Sequence, residues 1–196
     1  MAVVSIKNKL RRGNLLVGND PYIPTDFESI ATVTFGSGGS SEINFTSIPA
    51  TYSHLQIRGI VRDSSSLTGA VATIMRFNSD SGSNYGRHDL RGDGSTVSAG
   101  ANTPATLLDI YAHQGGGEGI NLFSPFVIDI LDYANTNKYK TVRCLAGWDQ
   151  NGAGRIYFTS GLWQSSTAIN AIKMYSGDST NWAQYSHFAL YGIKGA

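Results

Sequence analysis

The feature that most constrains this chain is a rhythm. Short runs of β-branched and aromatic residues recur along it, each closed by a cluster of Gly, Ser, Asn or Asp. Runs spaced roughly 8 to 20 residues apart, with no helical pattern between them, predict an all-β domain. The runs are 27–35, 41–48, 54–62, 71–77, 84–90, 105–113, 126–132, 141–148, 155–163, 168–175 and 184–193. In 54–62 the alternation is nearly complete: Leu55, Ile57 and Val61 share one face, His54, Gln56, Arg58 and Arg62 the other, and only Ile60 breaks the pattern. TAINAIKM is the best helical candidate, but it is short and β-branched, so it too reads as strand. Without crossover helices a parallel sheet is excluded. The expected architecture is an antiparallel β-sandwich of jelly-roll type, two sheets packed face to face.

Composition agrees with that architecture. Only 15% of the 196 residues are charged, while Gly reaches 23 and Ser, Thr and Asn contribute 22, 15 and 13. Polarity therefore comes from small neutral side chains suited to tight turns. GSGG at 36–39 is a hairpin signal between the first two runs, and NSDSGS at 78–83 is a polar turn. No internal repeat of fixed period occurs, which argues against a propeller or solenoid. No apolar run reaches membrane-span length, and the first twenty residues lack the apolar stretch of a secretory signal. A single cysteine, Cys144, excludes an intrachain disulfide framework and a thiolate zinc site. With a formal net charge of +1 there is no global attraction to nucleic acid. The expectation is a soluble chain that neither inserts into membranes nor binds nucleic acid.

Charge is unevenly spread. Residues 1–26 carry Lys7, Lys9, Arg11 and Arg12 against Asp20 and Asp26, and Gly13, Gly18, Pro21 and Pro24 interrupt any regular element. The same segment carries Leu10, Leu15, Leu16, Val17, Tyr22 and Ile23, large apolar groups that a neighbouring subunit would bury. It is read as an extended docking arm, leaving 27–196 as the β-sandwich domain.

Residue patterns that would carry chemistry are weak. His54, His88, His113 and His187 show no metal-ligand spacing. Asp129 and Asp132, three apart on one strand, point to opposite faces and make no carboxylate pair; Asp132 reads as a turn-former. Ser160 and Ser176 lack a nucleophile elbow, and Cys144 has no adjacent His, so it reads as a small buried hydrophobe. Arg91-Gly92-Asp93 before Gly94 is hairpin chemistry rather than an adhesion signal. The chain is therefore expected to be non-enzymatic, without cofactor or metal. Trp182 and Tyr185, flanking a polar turn, are the candidate glycan-binding patch.

Five stretches together carry a resemblance: SIKNKLRRGNLLVGN; FESIATVTFGSGGSSEINFTSIPATYSHLQIRGIVR; RFNSDSGSNYGRHDLRGDGS; IDILDYANTNKYKTVRCLAGWD; and SGLW with AIKMYS and FALYGIKG. The chain resembles, nearly end to end, a family of small virion structural proteins of tailed bacteriophages. The resemblance implies a particle component assembled in the bacterial cytoplasm, partnered by other virion proteins and forming a homotrimer. No heptads, collagen triplets or shaft repeats occur, which points away from a long fibre. The expected role is a short tail fibre or tail-tip protein, its arm anchored in the particle and its sandwich turned toward a host surface glycan. The alternatives are a capsid decoration or cement protein and, less favoured, a polysaccharide-degrading enzyme.

Overall fold

A computed structural model describes residues 26–195. Twelve strands occur among them: β1 (Phe27–Thr34), β2 (Glu42–Phe45), β3 (His54–Val61), β4 (Ala70–Phe77), β5 (Tyr85–Gly92), β6 (Val97–Ala105), β7 (Leu108–Gln114), β8 (Ser124–Leu131), β9 (Lys140–Asp149), β10 (Gly154–Trp163), β11 (Ile172–Ser176) and β12 (His187–Ile193). A single 3-10 turn, Gly116–Glu118, is the sole helical element described. The strands form two antiparallel sheets, β1-β12-β3-β8-β9-β10-β5-β6 and β2-β11-β4-β7, packed face to face.

Their winding follows from the strand order. With β5, β6, β9 and β10 set aside, the remaining eight strands run first–eighth–third–sixth in one sheet and second–seventh–fourth–fifth in the other. Chain segments thus pass back and forth between sheets, as in a jelly roll built from two Greek keys. The four extra strands arrive as two antiparallel pairs, β5–β6 and β9–β10, and widen the larger sheet on one side.

Alternation places the core. Leu55, Ile57 and Val61 of β3 point inward with Ile128 and Ile130 of β8, Val142 and Cys144 of β9, and Phe188 and Leu190 of β12. Facing them from the smaller sheet are Met75 and Phe77 of β4, Leu108 and Ile110 of β7, and Ile172 and Met174 of β11. Gly59 is the one inward position of β3 without a side chain. The Phe126 ring takes its place, 2.3 Å from where a Cβ would stand, and leans on Phe188 at 5.8 Å between centroids.

Three expectations are corrected. GSGG does not close a hairpin, because β1 pairs with β12 and β2 with β11. The turn instead carries the chain from one sheet to the other, with Gly39 at φ +66° and its absent Cβ 1.8 Å from the Trp182 carbonyl oxygen. The run expected from 168 becomes strand only at Ile172, because the Asn78 side-chain oxygen accepts from the Asn170 and Ala171 amides at 2.9 and 3.1 Å and holds them in a loop. A twelfth strand, β6, was not expected. It is an edge strand of small residues, paired to β5 through its backbone.

Candidate functional site

Residues of triad type do converge, at one end of the sandwich. Asp63 follows β3, His113 lies on β7 and Ser176 ends β11, and all three are buried. His113 Nε2 lies 3.2 Å from Asp63 Oδ2, and His113 Nδ1 lies 3.0 Å from the Thr73 hydroxyl. Burial alone would raise the Asp63 carboxyl, but hydrogen bonds from His113 and Ser65 outweigh it and hold the group at about 2. With Asp63 ionised and able only to accept, the Nε2–H group of His113 donates a hydrogen bond to it.

Nucleophilic catalysis needs a different arrangement: serine on one ring nitrogen, the orienting carboxylate on the other. Here Ser176 Oγ approaches the same Nε2, at 3.3 Å, and its hydroxyl donates to Asp178 Oδ1 at 2.7 Å. No bare nitrogen faces the serine, and none of the three is reached by solvent. The cluster fastens loops instead. Asp63 Oδ1 accepts from the Gly116 and Ser65 amides at 2.6 and 3.1 Å, joining the loop after β3 to the 3-10 turn.

The Trp182 indole closes the cluster. It sits 4.8 Å from the His113 ring and 5.3 Å from Phe188, fully buried, and its backbone bridges Ser40 and Asp63. The expected surface pair is therefore not formed: Trp182 is inside, and only Tyr185, 69% exposed, faces water. The docking residues Lys7, Lys9, Leu10, Arg11, Arg12, Leu15, Leu16, Val17, Tyr22 and Ile23 lie outside the described residues.

Other candidates fall where strand geometry sends them. Asp129 lies on the outer face and accepts from Gln56 Nε2 at 2.7 Å. Asp132 turns the chain at φ +50° and pairs with Lys138 Nζ at 2.7 Å. Burial pushes the Cys144 thiol up to about 12, with the nearby Asp129 charge adding to it. Ser160 accepts from Arg143. In 91–93, Asp93 Oδ1 accepts from the Ser95 and Thr96 amides at 3.0 and 2.8 Å, closing the β5–β6 hairpin. A second buried charged group, Arg87 with Asp89 and Asp109, was not foreseen; it lies under the extra strands, its guanidinium 5.0 Å from the Tyr111 ring centre. Among the described residues no group of three or more His, Cys, Asp or Glu is placed to hold a metal ion. No described helix is long and apolar enough to cross a membrane.

The outer face of the larger sheet has a different character. Register aligns Val127 of β8, Leu145 of β9, Phe158 of β10 and Leu90 of β5 as direct neighbours across four strands. Beside this row, on the same face, stands Ile156, between Gly147 and Gly92, with Val97 beyond Gly92. Ile60 pairs with Pro125 at the β3–β8 end. Leu90, Leu145, Ile156, Phe158, Val97 and Ile60 are each at least half exposed. A shallow groove of about 510 Å³ runs between Pro125, Val127, Leu145, Trp148 and Ile156.

Next to the stripe on the same face runs a polar row. Gln56, Asp129, Arg143, Ser160 and His88 form one continuous row, with hydrogen bonds joining Gln56 to Asp129 and Arg143 to Ser160. The apolar stripe was missed in the sequence because each of its residues looks like an isolated break in alternation. Only the register shows that the breaks coincide.

Comparison of the chain with protein-family models, with curated proteins and with solved structures finds no match in any of the three.

Proposed function

We propose that this chain is a non-enzymatic structural component of a tailed-bacteriophage particle, most simply a short tail fibre or tail-tip protein. The observation that carries the contact role is the apolar stripe on the widest face of the sandwich. A half-exposed row of Leu, Ile, Val and Phe is costly in water and gains by being covered. The sealed Asp63–His113–Ser176 cluster supports the same reading, since its polar groups are spent on each other and on loop amides. The phage setting rests on the sequence resemblance alone, and the comparisons with known proteins add nothing to it. In this reading the basic, apolar residues 1–26 dock on another virion protein, and the sandwich is carried on the particle facing the host.

A capsid decoration protein is the second reading, and the same contact face favours it, because cementing neighbouring capsomers is contact work. Copy number separates the two. Quantitative densitometry of purified particles is expected to give copies matching the few symmetric positions of a tail. A number on the scale of the capsomers would instead establish decoration, and absence from particles would overturn both.

A further inference from the structure

We infer that the apolar stripe of the larger sheet is where copies of this chain meet: its occupant is a second copy, packed stripe against stripe. The inference rests on the reading of this face as a contact surface, and adds the identity of what covers it.

Area is the first ground. The half-exposed side chains of the stripe present on the order of 600 Å² of apolar surface, at the upper end of what a monomer shows. A specific interface takes about 800 Å² from each partner, and the stripe supplies most of it. It spans four adjacent strands, roughly 15 Å.

Charge is the second ground. On its own face the stripe is bordered by Arg58, paired with Val127, by Arg143 and Asp129, paired with each other, and by Asp149. A surface bordered by both signs in equal number is suited to pairing with itself, since arginines of one copy can meet aspartates of the other. The strongly basic segment 1–26 is the competing occupant within this chain. Facing as many arginines as aspartates, it gains no net attraction there. The polar row from Gln56 to His88 already satisfies part of its hydrogen bonding internally and limits the contact to the apolar stripe.

Sedimentation equilibrium of the full chain at about 1 to 100 μM is the test. The expected result is a mass of at least twice 21.0 kDa. In the double variant Leu145→Glu, Phe158→Glu the dissociation constant is expected to rise about 100-fold or more. Both positions are half exposed, so circular dichroism should show the fold intact. Should the double variant not fold, Leu145→Cys in a Cys144→Ala background provides the second measurement, a covalent dimer on mild oxidation. A wild-type monomer, or an oligomer unaffected by the double variant, overturns the inference. Two outcomes identify other occupants and equally overturn it. If the wild type is monomeric and the double variant alone fails to enter particles, the face is a contact surface for another virion protein. If association is lost on deleting residues 1–25 and kept in the double variant, the N-terminal segment makes the contact.

Discussion

Asp63 shows how a single side chain can look catalytic and be structural. Its ionised form accepts from His113, Ser65 and Gly116 in a buried site. The folded-state value of about 2 lies below the ordinary 3.8, so the stability it contributes is fully present above about pH 4 and is lost as pH falls toward 2. Urea midpoints measured between pH 4 and pH 2 are expected to drop. Asp63→Asn is expected to cost about 3 kcal/mol at pH 7, because it leaves buried donors without their acceptor, and to flatten that acid limb. An unchanged acid limb in the variant would assign the effect to other carboxylates. Cys144 makes the complementary case. Its thiol, pushed up to about 12 by burial, should not react with a disulfide reagent at pH 8 until the chain is unfolded. Neither property was fully legible in the sequence. The strand position of Cys144 gave its burial, whereas Asp63, His113 and Ser176 are 50 or more residues apart and meet only through the winding of the sheets.

At the scale of elements, the strands with large apolar residues in alternation were readable, and those without were not. β3 is the clearest: its inward set was legible down to the exception Ile60, which proves to be part of the exposed stripe. β6, with Val97 its only large apolar residue, lacks that signal. Its sequence VSAGANTPA pairs through backbone at the sheet edge, where Pro104 costs no ladder bond on a missing neighbour. Turn chemistry gave the position of GSGG but not its partners, because a glycine turn bends the chain in the same way whether it joins two paired strands or crosses between sheets. Aromatic packing over glycine was equally invisible. Gly59→Ala is expected to cost about 1–3 kcal/mol in urea denaturation by displacing the Phe126 ring from its neighbours, and a neutral result would show that the ring has room to move.

At the scale of the molecule, the all-strand class and the two-sheet packing were legible because composition, turns and alternation all pointed the same way. The unequal division into eight and four strands was not, since the insertion of β5–β6 and β9–β10 into one sheet depends on long-range pairing. The body joins residues 1–25 at its flank: β1 is an edge strand, Phe27 pairs with Ile193, and the Asp26 carbonyl accepts from the Lys194 amide at 2.9 Å. The core among the described residues is drawn from positions 35 to 190, and it includes Phe35 and Leu190 at either end of that span. Residues 26–196 are therefore expected to fold without help from what precedes them. Thermal unfolding of a chain lacking residues 1–25, followed by circular dichroism, measures this directly. A cooperative β-sheet transition within a few degrees of the full chain is the predicted result. An unfolded or aggregated product would contradict it.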